Sequence, residues 1–374
     1  MTGKERLMRI FKGEAVDRPA IKLWGLSIGQ KLLHPAYLPI YNKAVETTDI
    51  MDTAVSPFHA WWGAEPPTGI YSWDVPLQDG WLDRITQFKL GDRTFRTVYR
   101  YSTRGEPGYT LEHLVKEPGD LKAILSATYK PFPVDIGGYL DTSRLVGDRG
   151  IVTFGLDHAA YSLQRLMGSQ CFALMCMDER DLMVEAAHIF GQRIKSHARA
   201  VLNTGIKPVF SWVGPELCIP LLVGMAEFSE LVCAVDKPLC DLIHECGGYV
   251  WVHCHGNVGR LMKHFEWIGV DILNPIEPPP MGDVTLEQAL AAVGNRMGVE
   301  GNIEIAALLL ESPEHVRELV YDAVRTGSRS SRFVLCPSAG YMEYTNPSPT
   351  YLNNLMVYLT YGLDCVQKAG MGLL

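Results

Sequence analysis

Two imidazoles flank a thiol at His253-Cys254-His255, inside a stretch that runs Gly248-Tyr-Val-Trp-Val-His-Cys-His-Gly-Asn-Val-Gly259. Tyr249 to Val252 are β-branched or aromatic and predict a short strand, which Gly256 and Gly259 break into a turn. In an extended backbone, residues two apart project to one side, so His253 and His255 share a face and Cys254 turns away. Imidazoles aimed together at a strand end can hold a metal ion. The same spacing also suits a plain pair of hydrogen-bonded histidines.

The elements that must position these side chains follow a regular plan. Short apolar runs that read as buried strands lie at 20–24, 50–55, 151–156, 208–212, 249–253, 271–276, 298–302 and 333–336. Helical patterns fill the intervals, among them 181–202, 226–246, 261–268, 286–293 and 313–325. Strand and helix in alternation imply parallel strands, and eight of them predict an α/β fold of the (β/α)8 TIM-barrel class. A doubly wound open sheet is the alternative, but no Gly-x-Gly-x-x-Gly follows any of the strands. The reading is one barrel domain over 1–374, with an N-terminal helical and loop extension and an insertion at about 58–147. Within that insertion Arg84 to Tyr101 alternates around Gly91-Asp92, a hairpin signal, and Trp61 and Trp62 open a loop suited to covering something flat and apolar.

Chemistry in such a barrel gathers at the C-terminal ends of the strands. Those ends carry Trp24, Asp157-His158, Trp212 to Glu216, His253 to His255, Asn274 to Glu277, Asn302 to Glu304 and Cys336 to Tyr341. Glu216, Asp157, Glu277 and Tyr341 are the candidate catalytic groups. Trp24, Trp212, His158 and Asn302 are the candidate pocket residues. Each also has a structural reading: Asp157 as a helix cap, Glu304 at a helix N-terminus, Cys336 as a packed thiol.

The 374 residues are 47% hydrophobic and 20% charged, with a net charge of −8 and no cluster of lysine or arginine, so nucleic acid and anionic membranes are poor partners. The N-terminus lacks the apolar core of a signal peptide and no apolar run has membrane-spanning length, which predicts a cytoplasmic protein. Nine cysteines, scattered and odd in number, do not form a disulfide framework. A protein of this size and charge is compatible with a monomer or a homodimer.

Several motifs together resemble the uroporphyrinogen decarboxylase superfamily over nearly the whole chain. They are the opening Lys4-Glu-Arg-Leu-Met-Arg-Ile-Phe-Lys-Gly-Glu-Ala-Val-Asp-Arg-Pro19, then Val252-His-Cys-His-Gly-Asn257, Gly269-Val-Asp-Ile-Leu-Asn274, Gly298-Val-Glu-Gly-Asn-Ile303 and Ser312-Pro-Glu-His-Val316. The superfamily fold is an eight-stranded barrel. Its decarboxylases carry an arginine-rich motif after the first strand, whereas Leu23-Trp-Gly-Leu-Ser-Ile-Gly-Gln30 has no arginine. A porphyrinogen bearing many carboxylates needs cationic partners, which argues against that reaction.

The resemblance then implies the other branch, zinc-dependent methyltransferases that work with a corrinoid protein. That branch typically holds zinc with His-x-Cys at the fifth strand and a Cys after the eighth. His253 falls on the first position, His255 stands where a cysteine is typical, and Cys336 lies a few residues early. The implied zinc ligands are His253 and His255, completed by Glu216 or Cys336. Replacing thiolate by imidazole and carboxylate leaves more positive charge on the metal, which suits polarising the oxygen of a methoxylated aromatic during O-demethylation. No Asp-x-His-x-x-Gly motif occurs, so the corrinoid would arrive on a partner protein. A tetrapyrrole decarboxylase and a non-catalytic binding barrel are the alternatives.

Overall fold

Apolar runs of five or six residues, separated by amphipathic helices, can bury both faces only by pairing side by side beneath a helical layer. The computed structural model, which describes residues 1–374 except 66, 68, 221, 341, 343 and 344, shows that arrangement. Its strands are β1 Ala20–Ile21, β2 Ile50–Val55, β3 Tyr71–Pro76, β4 Trp81–Leu90, β5 Arg93–Ser102, β6 Tyr109–Glu112, β7 Gly150–Gly155, β8 Val209–Val213, β9 Tyr249–His253, β10 Ile272–Ile276, β11 Gly298–Ile303 and β12 Phe333–Pro337. Eight of them form one parallel sheet in the order β1-β12-β11-β10-β9-β8-β7-β2. The sheet curls as in a (β/α)8 barrel, and its two edges meet at Asp49. The Asp49 backbone N–H donates to the Ile21 carbonyl at 2.7 Å, and the Ile21 N–H donates to the Asp49 carboxylate at 3.0 Å.

The N-terminal face is closed by the helix Gly3–Lys12, which Thr2 and Glu5 start with a reciprocal capping box. Gly13 ends it at φ 71°, a left-handed conformation that glycine adopts freely. Its buried Leu7, Ile10 and Phe11 plug the sheet's concave side against Ala20, Ile151, Val209, Trp251, Ile272 and Val334. Arg6 of the same helix reaches the buried Asp49 carboxylate, which Arg18 also engages at 3.0 Å. Arg6 is held from behind by Asp17 at 2.7 and 2.8 Å. One carboxylate thus ties the plug helix to both edge strands.

All eight barrel strands lie where the apolar runs predict them. The first is shorter than 20–24, because the chain leaves the ladder after Lys22 and turns at Gly25, whose φ is 69°. The expected helix over 226–246 is interrupted by a π-helical turn at Ser229–Cys233. Pro238, which has no N–H to donate, lies inside the helix Ala234–Glu245 that follows. The expected hairpin is β4–β5, turning at Gly91, and it is the centre of a four-stranded antiparallel sheet β3-β4-β5-β6. Phe88 and Phe95, stacked at 5.4 Å and buried, join that sheet to the main core. Among the described residues no helix is long and apolar enough to cross a membrane.

Removing one partner of a buried ion pair strands the other charge, at a cost of about 3–5 kcal/mol. Asp49→Ala should therefore lower unfolding stability by about that amount in urea titrations, with an unchanged m-value.

Candidate active site at the strand ends

Both histidines of the His-Cys-His segment are oriented through their Nδ1 atoms. His253, on the last residue of β9, is 7% exposed, and its Nδ1 lies 2.6 Å from Asn274 Oδ1. The Asn274 amide cannot flip, because its Nδ2 donates to Glu300 Oε1 at 3.0 Å. Its Oδ1 therefore accepts from His253, Nδ1 carries the proton, and Nε2 is left with a lone pair. Burial, then the neighbouring His255, hold His253 down at about 4, so the ring is neutral near pH 7. His255 Nδ1 donates to Glu277 Oε1 at 2.9 Å, and Glu277 Oε2 accepts the Gly256 N–H at 2.8 Å. Burial opposes the charge on His255, yet the Glu277 carboxylate outweighs it and raises the pKa. The two rings lie 4.4 Å apart at 89°, and neither Nε2 has a hydrogen-bond partner among the described residues.

Beneath them is a buried polar layer. Glu300, fully buried on β11, accepts from Lys22 Nζ at 2.7 Å, Trp251 Nε1 at 3.0 Å and Asn274. Trp24 stacks on His253 at 4.4 Å and on Trp251 at 5.7 Å. It also lines a cavity of about 570 Å³ at the ends of β1, β2, β7, β8 and β9, together with Trp212, Trp251, Met51, Phe58 and Arg165. The cavity wall is rich in aromatic side chains, with His253 stacked behind Trp24 and outside the wall itself.

The structure distributes the expected site residues unevenly. Glu277 is an orienting group for His255. Asp157 accepts from the His158 N–H at 2.9 Å, Ser162 Oγ at 2.6 Å and the Ala60 N–H at 3.1 Å, so it pins the insertion loop to the mouth. His158 caps the helix Ala159–Asp178 through Nδ1 and turns Nε2 toward Asp236 at 3.2 Å. Both still border the cavity. Trp212 is 2% exposed, and its buried Nε1 has no partner among the described residues. Asn302 is half-buried, pairs in register with Cys336, and is not part of the cavity wall. Tyr341 lies outside the described residues.

The expected ligand set of His253, His255, Glu216 and Cys336 is not assembled into one cage. Among the described residues no three His, Cys, Asp or Glu side chains are placed to hold a single ion. Cys336 is fully buried within β12, and burial and the Glu300 carboxylate push its thiol well above the usual range. Glu216 accepts the Gly214 N–H at 3.0 Å and lies close enough to bias the charge of both His158 and His255. Trp61 and Trp62 do not line this cavity; they pack edge-to-face at 5.0 Å beside a second cavity under the insertion sheet, and Trp61 also borders a smaller pocket that shares Asp157 and Arg165 with the mouth.

Four groups were not singled out from sequence: Lys22, Glu300, Trp251 and Asp52, a cavity-wall carboxylate that accepts from Ser27 Oγ at 2.9 Å and the Ile28 N–H at 3.1 Å. Lys22 and Glu300 carry the clearest signal, a charge inside an otherwise apolar strand. Glu304, named only as a strand-end residue, has a buried Oε1 without a partner. Burial and the Glu277 charge raise its carboxyl to about 7.

No protein-family profile matches the chain, and no curated protein matches it in sequence. Among solved structures, a methyltransferase from Methanosarcina mazei is similar at a TM-score of 0.59 and 15% identity, covering 97% of this chain and 98% of that one. At that identity the likeness shows the shared fold alone.

His197 and His253 make acid stability testable. His197 stacks on Phe58 at 4.4 Å, and burial holds it at about 4, against 6.5 for a free histidine. Between those values the folded state binds fewer protons than the unfolded one, so stability falls as pH drops from about 6.5 to about 4. Urea unfolding should show that loss, and His197→Phe should remove roughly half of it.

Proposed function

We propose that the chain is an enzyme of methyl transfer, of the zinc- and corrinoid-dependent branch of the uroporphyrinogen decarboxylase superfamily. Its substrate is a small methoxylated aromatic, and the methyl acceptor is the cobalt of a corrinoid carried by a separate protein. One observation carries the reading. Two imidazoles at one strand end have their Nδ1 atoms committed to an amide and a carboxylate, neither Nε2 has a partner among the described residues, and Trp24, which lines the aromatic cavity, stacks on His253. An acceptor behind Nδ1 is the outer-shell arrangement that fixes the tautomer and orientation of metal-binding histidines. The motifs of the chain and the shared fold with a methyltransferase support the same reading.

His253 and His255 would hold the zinc ion, which when bound supplies Lewis acidity toward an ether oxygen. Asn274 and Glu277 keep both rings in the ligating tautomer. Trp24, Trp212 and Trp251 offer flat apolar faces on which an arene can stack and from which water is displaced. Lys22 is already neutralised by Glu300, so exposed Arg165 is the one lysine or arginine of the cavity wall without a carboxylate partner among the described residues. A substrate with many carboxylates fits such a wall poorly.

Protein purified without chelator should contain near-stoichiometric zinc, and the His253→Ala, His255→Ala double variant should contain almost none. Incubated with reduced cobalamin or a corrinoid protein, the wild type should form methylcobalt from methoxyarenes, followed by its absorption spectrum. Metal-free native protein that methylates cobalt from no methyl donor would overturn the reading, and release of carbon dioxide from uroporphyrinogen would replace it.

A further inference from the structure

We infer that the second cavity, under the insertion sheet, is a binding site for a small planar aromatic carboxylate, which seats its ring against Trp61 and Trp62 and its charge on Arg193. This goes beyond the methyl-transfer reading and does not rest on it, since no residue of this wall belongs to the wall of the strand-end cavity. The second cavity encloses about 700 Å³, a volume in the range of small-molecule sites. Four separate parts of the chain build it: the loop 61–63, the hairpin turn 89–93, the stretch 123–129, and Arg193 of the helix Arg180–Leu202. Backbone contacts fix the loop that carries the tryptophans. The Ala64 N–H donates to the Lys130 carbonyl at 2.8 Å, and Gly63 passes so close that a Cβ there would lie 2.3 Å from the same oxygen. On its other side the Ala60 N–H donates to Asp157 at 3.1 Å. The cavity is therefore preformed.

The aromatic and charged groups of the wall select the ligand. Trp61 and Trp62 are half-buried and meet edge-to-face at 5.0 Å, and Phe88 braces Trp62 edge-to-face at 5.9 Å. Such indoles offer flat apolar surface to a second ring. Arg193 lays its guanidinium 4.2 Å over Tyr129 and donates from Nη1 to the Ala60 carbonyl at 3.0 Å. Among the described residues its Nε and Nη2 have no hydrogen-bond partner, and no carboxylate answers its charge. Burial pushes its pKa down, and an anion in the cavity supplies the missing countercharge. The other charges of the wall are already paired or exposed. Arg93 is held by Glu117 at 2.6 Å and Asp120 at 2.7 Å, Glu65 pairs with Lys130, and Lys89 and Asp92 are exposed. One free guanidinium edge matches one carboxylate, whose two oxygens accept from Nε and Nη2 in parallel. A neutral arene leaves the guanidinium unanswered, and an acid without a ring leaves the indoles uncovered.

The probe is 4-fluorobenzoate, followed by fluorine NMR on the full chain. It should bind saturably, and 4-fluorobenzamide, which keeps the ring and loses the charge, should bind about 10-fold or more weakly. Arg193→Gln, shown to be folded by circular dichroism, should lose affinity for the acid by about the same factor and bind acid and amide alike. Arg165→Gln, which alters the wall of the strand-end cavity instead, should bind the acid like the wild type. Hydrogen exchange on the wild type locates the ligand without any substitution: the acid should slow exchange in 61–63, 89–93 and 123–129. Absence of saturable binding, equal affinity for acid and amide, or unaltered affinity in Arg193→Gln would overturn the site. So would a loss confined to Arg165→Gln, or protection that appears at the strand ends rather than in these three segments.

Discussion

The rest of the site depends on one buried carboxylate. Glu300 has no solvent contact, so each of its oxygens must be answered from within the protein. Lys22 supplies the countercharge from β1, Trp251 an N–H from β9, and Asn274 an amide from β10. Removing one partner from such a group costs about 3–5 kcal/mol, which makes the arrangement all-or-none. Its consequence is directional. Because Asn274 must present its NH2 to Glu300, its oxygen must face His253, and the lone pair of that ring must lie on Nε2. A charge pair deep between strands thereby decides which nitrogen is available at the mouth.

The two ends of the sheet are built to opposite specifications. At the N-terminal end, Asp49 gathers Arg6, Arg18 and the Ile21 N–H, and the helix Gly3–Lys12 fills the interior with apolar side chains. That end is closed and serves stability. At the other end the chain lines a cavity with tryptophans, one of which, Trp24, stacks on His253. Asp157 holds the insertion loop against this mouth through Ala60, so the loop's position is set by the same strand end that borders the cavity. Placing chemistry at the C-terminal strand ends and stability at the N-terminal ends is the usual division in (β/α)8 proteins.

The strands were legible because parallel strands covered on both faces must be apolar throughout, and such runs stand out between helices. The insertion hairpin was legible because Gly91-Asp92 interrupts a clean alternation. Its two flanking strands were not: β3 is exposed along its whole length and β6 has four residues, so neither carries a buried period. The orientation of the His-Cys-His segment followed from the pleat, and Cys254 is indeed buried on the far side. The roles of Asp157 and His158 were harder to read. Both have residue types suited to catalysis, and only their partners show them tied into loop and helix ends.

By itself, the sequence determined the order of eight strands, their parallel arrangement, and the pairing of His253 with His255 on one face. Those follow from local periodicity, which side-chain alternation and burial impose residue by residue. Only the tertiary structure decided that Lys22 and Glu300, 278 positions apart, neutralise one another, that Asn274 sets the tautomer of His253, and that Cys336 lies buried inside the sheet. These depend on strand register and on the curl that brings β1 beside β12, and no local pattern encodes where separate strand ends meet.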